Sequence, residues 1–184
     1  MTNMIFCEAQ KVKQPLKKLI VVLLVSAVLI PFTGGCGKGY SNSWLYPEDV
    51  KTVYVEMFDT SSFRRGHEYD LTDAICKRIE SQTPYKIVSD RNIADSVLSG
   101  TLGTISKGTL SMERESGKPL ESESIVSVTV NWKNLSTGDI IIDNDIVYAS
   151  ASYSTFLDQD FEYAAKVAVN NAARRVVERM QKEF

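Results

Sequence analysis

Cys36 is the residue whose setting most clearly specifies chemistry. It follows Thr33, Gly34 and Gly35, and cleavage before it would leave an amine and a thiol on one residue. Both groups can be acylated. Each buried methylene of an acyl chain adds about 0.8 kcal/mol of membrane affinity, so several chains hold firmly where one does not. The other reactive side chains offer less. His67, the single histidine, falls in a polar stretch and reads as a solvated loop residue. Asp143 and Asp145 read as turn formers, because a calcium loop needs further oxygen ligands and a bidentate Glu. Cys76 lies on an expected helix, where a free Cys is usually a small buried hydrophobe. Cys7 leaves with the segment before Cys36, so the three cysteines build no disulfide framework. The sequence has no Gly-rich phosphate loop, zinc signature or nucleophile elbow. No catalytic residue, metal or cofactor is expected.

The residues upstream of Cys36 supply the machinery for its processing. Lys11, Lys13, Lys17 and Lys18 form a basic start, and an apolar run follows from Leu19 to Ile30. Basic region, short apolar region and small-residue cleavage site are the order of a secretory signal. A transmembrane anchor would need about 20 apolar residues, and this run is shorter and ends in Pro31. Thr33-Gly34-Gly35-Cys36 is similar to a bacterial lipobox, with Thr33 where Leu is usual. Residues 1–35 are therefore expected to be a lipoprotein signal peptide and residues 36–48 a lipidated tether, with acyl chains such as palmitate on Cys36. Gly37 stands where enteric bacteria use Asp to retain lipoproteins in the inner membrane, so outer-membrane sorting is expected.

Charge limits the partners. The chain carries 21 basic and 23 acidic side chains, and removal of residues 1–35 takes four Lys and Glu8, leaving 17 and 22 and a net charge of −5. A general nucleic-acid-binding role needs a basic surface and is excluded. The remaining 149 residues suit one ordinary domain, 49–184.

Hydrophobic spacing orders the elements of that domain. Val50 to Phe58 alternates, with Val53, Val55 and Met57 on one face, and predicts a strand. Asp59 to Glu68 reads as a loop. Asp70 is placed to cap a helix beginning at Leu71, in which Leu71, Ala74, Ile75 and Ile79 share a face. Pro84 stops it. Short strands are predicted over Tyr85–Ser89 and Ser96–Ser106, the latter with Gly100 and Gly103 marking a bulge or a close backbone approach. Lys107 to Ser122 reads as a mobile loop or splayed hairpin tip. Glu123 to Leu135 is the clearest strand, with Val126, Val128, Val130 and Trp132 alternating with polar residues. Ser136-Thr137-Gly138-Asp139 is a hairpin turn. The return strand is interrupted at Asp143-Asn144-Asp145. A last helix, capped by Asp158 or Asp160, runs to about Lys182 with an apolar stripe of Phe161, Ala165, Ala168, Ala172, Val176 and Met180.

These elements predict an α+β fold, a two-layer sandwich. Two amphipathic helices pack on one face of a mostly antiparallel or mixed sheet of four to five strands, and the other face is wetter. Val128, Val130 and Ala168 are expected between sheet and long helix.

From Cys36 onward the chain resembles the LPS-assembly lipoprotein (LptE) family. The resemblance is carried by Cys36-Gly37 with Tyr40 shortly after, by Pro47 to Val55 as the first strand, and by the loop Phe63-Arg64-Arg65-Gly66. Glu68-Tyr69-Asp70-Leu71-Thr72-Asp73-Ala74 then opens the first helix. Ala94 to Leu102 is similar to the family's Ala-Asp-x-x-Leu-x-Gly strand. The resemblance implies an outer-membrane lipoprotein, anchored on the periplasmic side. It would plug the β-barrel LptD, assist its assembly and help pass lipopolysaccharide to the outer leaflet. It also implies lipid A-phosphate contacts from basic side chains at a strand-loop edge, for which Arg64, Arg65, Lys107, Arg114 and Lys118 are candidates by charge and position. The alternative kept from the residues themselves is a lipoprotein regulator or scaffold of a periplasmic envelope enzyme such as a peptidoglycan synthase.

Overall fold

The computed structural model describes residues 45–182. The signal segment 1–35, Cys36 and residues 37–44 lie outside the described residues. The chain order is β1 (Thr52–Val55), β2 (Asp59–Thr60), α1 (His67–Gln82), β3 (Lys86–Ile87), β4 (Ser96–Met112), β5 (Pro119–Asn134), β6 (Ile140–Tyr153) and α2 (Phe161–Arg179). The strands form one mixed sheet in the order β3-β1-β4-β5-β6, and β2 continues along the same edge of β4 that β1 pairs with. β1, β2 and β3 run parallel to their neighbours, while β4, β5 and β6 form an antiparallel meander. Both helices lie on one face. The architecture is the expected two-layer α+β sandwich, with a sixth strand where four or five were expected.

The core sits between that face and the helices. Every second residue of β5 from Val126 to Trp132 is inaccessible to solvent, as are Leu71, Ile75 and Ile79 of α1 and Ala165, Ala168, Ala172 and Val176 of α2. The alanines matter for geometry: short side chains let α2 settle close to the sheet, and the larger Val and Trp side chains of β5 fill the layer between. Asp160 caps α2 by accepting the N–H of Tyr163 at 2.7 Å.

Some boundaries differ from expectation, each for a local reason. α1 begins at His67, not Leu71, and Asp70 lies inside its first turn. The N-cap is Gly66, at φ 106° and without a side chain to cap with, and the Glu68 carboxylate reaches back to accept the Gly66 N–H at 2.8 Å. His67 is therefore not a solvated loop residue; it is 5% exposed. β1 ends at Val55, and Met57 is exposed. The chain turns there so that Phe58 enters the core, and Thr72 Oγ1 holds it by accepting the Phe58 N–H at 3.1 Å. Lys107–Ser122 is not a loop: β4 and β5 stay paired as far as Met112 and Pro119, and only residues 113–118 form the tip. Its polar composition signals two solvated strand faces, not irregular backbone. β6 is continuous, and the Asp143-Asn144 interruption is a bulge opposite Asn131, whose Oδ1 accepts the Asn144 N–H at 2.7 Å. Tyr46, within the segment read as tether, is buried and meets Tyr85 edge-on at 5.6 Å.

Candidate functional site

The strand from Ala94 to Leu102 is where sequence motif and geometry coincide most closely. Asp95 Oδ2 accepts the backbone N–H groups of Lys51 at 3.0 Å and Thr52 at 2.9 Å, and the Asp95 N–H donates to Thr52 Oγ1 at 2.8 Å. These bonds fix the start of β1 against the start of β4. They also hold the Asp95 carboxyl below the ordinary carboxylate range, the Thr52 N–H foremost. Ser96 Oγ accepts the indole N–H of Trp132 at 3.0 Å in the core. Leu98 is fully buried. At Gly100 the chain passes so close to its neighbours that an added Cβ would stand 2.5 Å from the Phe58 ring and 2.3 Å from the Thr129 carbonyl oxygen. Gly103 lies at the bulge where two residues face Ser127, its missing side chain leaving room for Ser127 Oγ. The motif is thus a device that joins the parallel and antiparallel halves of the sheet.

The five candidate basic residues all lie at one end, the end at which both helices begin and the β4–β5 hairpin projects. Arg64 and Lys107 are brought together through two aromatic rings. The Arg64 guanidinium sits 4.4 Å above Phe161, Phe161 meets Tyr153 edge-on at 6.3 Å, and Lys107 Nζ lies 5.7 Å from the Tyr153 centroid. Arg64 also pairs with Glu162 at 2.5 Å, so its charge is already met within the fold. Arg65 is exposed beside it and makes no ion pair among the described residues. Arg114 and Lys118 are exposed at the hairpin tip, apart from the other three and interleaved with Glu113 and Glu115. The five do not form one cluster.

His67, read from sequence as solvated, is packed between the two helix starts. Its Nε2 stands 3.4 Å from Glu162 and its Nδ1 3.9 Å from Asp70. Cys76 is half-buried; burial first, then Asp73 and Glu80, push its thiol up, which keeps it protonated and unreactive. Asp145 is paired with Arg179 at 3.2 Å. Among the described residues no group of three His, Cys, Asp or Glu side chains is arranged to hold a metal.

Two features add to the expectations from sequence. The first is the make-up of the open sheet face, expected as the wetter one, which carries Tyr54, Ile146 and Tyr148 among hydroxyls and amides. The second is the free edge of β6. Asn171 donates to the Ser150 carbonyl at 3.1 Å and Arg175 donates to the Tyr148 carbonyl, so α2 occupies two carbonyls in the middle of the edge strand.

A family model for lipopolysaccharide assembly, LptE, matches residues 50–180, which is nearly the whole described domain. The chain belongs to the LptE family. It is thereby a lipoprotein of lipopolysaccharide assembly, in a family whose members are non-enzymatic and act with the lipopolysaccharide transport machinery. No curated protein sequence matches it. Among solved structures it is similar to lipoprotein B from Nitrosomonas europaea, at 15% identity and a TM-score of 0.52 over 77% of this chain and 88% of that one. A minor lipoprotein from Acinetobacter baumannii gives 16% and 0.51 over 75% of this chain and 100% of that one. Protein CT253 from Chlamydia trachomatis gives 12% and 0.52 over 71% and 95%. At such identities the likeness establishes the fold alone: two helices on one face of a mixed open sheet. The LptE motif Ala94-Asp95-x-x-Leu98-x-Gly100 then has a structural meaning, since each of its residues holds a backbone junction or the core.

Proposed function

We propose that this protein, anchored through acylated Cys36 to the outer membrane on its periplasmic side, plugs an LptD-type barrel. In that position it supports the barrel's assembly and the passage of lipopolysaccharide to the outer leaflet. The observation that carries this reading is the LptE family match over residues 50–180. A plug works by shape and surface, with no need for a catalytic group, and the lumen of such barrels is polar. Arg65, Arg114 and Lys118, exposed at the end away from Leu45, are the side chains proposed to meet lipid A phosphates. Arg64 and Lys107 are proposed to act with them, braced by Phe161 and Tyr153.

The test is depletion. Loss of the protein is expected to lower the amount of folded barrel and to admit large antibiotics through the outer membrane. A non-lipidated form exported by an ordinary signal keeps partial activity, because docking holds the plug in place. Unchanged barrel levels and permeability, together with crosslinks to a peptidoglycan synthase, would favour the regulator reading instead.

A further inference from the structure

The two broad faces of the domain differ in chemistry. The outward face of the helices is charged: Asp73, Lys77, Lys166, Arg174 and Glu178 are exposed there, with Lys77–Asp73 and Arg174–Glu178 paired along the helices at 2.6 and 3.6 Å. The open face of the sheet is the reverse. Across β4, β5 and β6 its middle rows pair Ser99 with Asn131, Thr101 with Thr129, and Ser127 with Tyr148. Within β4 and β5 no charged side chain falls in those rows; at their outer ends Asp59 of β2 pairs with Thr101 and Asp143 of β6 lies in the bulge opposite Asn131, both exposed. Charges appear at the margins, with Lys133 at one end of β5, Glu123 at the other, and Asp59 and Asp143 on the flanking strands. Tyr148 is 58% exposed and Ile146, opposite Thr129, is 49% exposed.

An uncharged centre with exposed aromatics and a charged rim is the anatomy of a surface that becomes buried against a partner. Desolvating hydroxyls and amides that can exchange water for partner groups costs little, whereas desolvating the charges of the helical face costs several kcal/mol per unpaired ion. Shape points the same way. Ser and Thr side chains are short, so a second sheet can approach to about the 10 Å spacing of packed sheets. The inner wall of a barrel is such a sheet, and it is polar. Strand addition at the edge offers less, because the outward carbonyls of Tyr148 and Ser150 are occupied by Arg175 and Asn171.

We propose that the open face of the sheet is the surface this protein buries against the inner wall of the barrel, while the helical face stays hydrated. This rests on the plug reading above and assigns it a side.

The test places a photo-crosslinking residue in the full-length protein in cells, by Ser127→p-benzoylphenylalanine or Thr129→p-benzoylphenylalanine on the sheet and by Lys77→p-benzoylphenylalanine or Lys166→p-benzoylphenylalanine on the helices. At least tenfold more barrel adduct is expected from 127 and 129 than from 77 and 166. Equal or greater adduct from the helical positions overturns the assignment and leaves the plug reading intact. A barrel adduct from none of the four overturns both. An adduct with a second copy of this chain at 127 or 129 also overturns the assignment. As a second measurement, Thr129→Lys is expected to reduce co-purified barrel at least tenfold with an unchanged melting temperature, and Lys77→Glu to leave it unchanged. Undiminished barrel recovery with Thr129→Lys overturns the proposal.

Discussion

The ring of Phe58 fills the space that a side chain at Gly100 would occupy, with Phe58 Cε1 2.5 Å from the site of an added Cβ. The Thr129 carbonyl oxygen stands 2.3 Å from the same point. The ring could swing aside but the carbonyl belongs to a sheet ladder and cannot. Gly100→Ala is therefore expected to destabilise the fold by about 3 kcal/mol, at the upper end of the usual overpacking range. Urea unfolding measures it. Adding Phe58→Leu should recover only part of the loss, and full recovery would show that the backbone clash is unimportant.

Asp95 predicts an acid dependence. Its folded carboxyl lies below the ordinary value of 3.8 because two backbone N–H groups and Thr52 Oγ1 are arranged around it. A lowered folded value means that the contribution is present in full above the ordinary value and is lost as pH falls through it toward the folded value. Asp95→Ala should cost about 2 kcal/mol at neutral pH, as expected for lost bonds to a charged acceptor. The gap between wild type and variant should begin to narrow below about pH 4 and shrink further as pH falls. Thermal melting of both proteins across pH 3–7 checks the sign; a gap that widens on acidification would contradict it.

Ser96→Ala isolates one buried polar contact. It removes the acceptor of the Trp132 indole N–H, which is in the core with no solvent access. An unpartnered buried donor costs about 1–3 kcal/mol. Ser96→Ala combined with Trp132→Phe should show less than the sum of the single losses in a double-mutant cycle. Strict additivity would mean that the bond contributes nothing.

Val128→Asp tests the choice of buried face. Val128 is inaccessible between β5 and the helices, and a carboxylate there has no partner. Several kcal/mol should be lost, enough to unfold a domain of ordinary stability. Circular dichroism and melting read the outcome, and wild-type melting would place the residue outside the core.

Cys36→Ser should block acylation and leave an unprocessed or mislocalised precursor. Intact-mass spectrometry of the membrane-extracted wild type should find a chain that begins at Cys36 and carries acyl groups. A start elsewhere, or a mature mass without lipid, counts against the processing assigned to residues 1–36.

Legibility followed the physics of each segment. The sandwich, the buried faces of β5 and α2 and the bulge near Gly103 were readable because strict alternation and helical stripes report burial directly. The Asp160 cap was one of two readable choices. The start of α1 was misplaced because Asp70 has the composition of a cap, whereas the N-cap is Gly66 in a left-handed conformation, with Glu68 holding its N–H from inside the helix. The long β4–β5 arm was legible only as a loop or a splayed hairpin tip, and its paired length was missed, because a hairpin largely solvated on both faces shows polarity without period. The basic residues were chosen by charge and loop position alone, and their engagement was not legible: nothing in the sequence around Arg64 announces Glu162, which is far along the chain and meets it only through the packing of α2.

The covered edge of β6 has one more consequence. Among the described residues β6 gives the longest rim of the sheet; on the other side β3 is two residues, and pairing of β4 with β1 and β2 ends at Leu102. A bare rim of fourteen residues would be a template for any unfolded strand nearby. On the proposed role this protein works beside a large barrel whose strands are still closing, where such a template would capture the client into a dead-end hybrid. Asn171 and Arg175 occupy two carbonyls in the middle of that rim, which interrupts the template at the point where a barrel strand would pair.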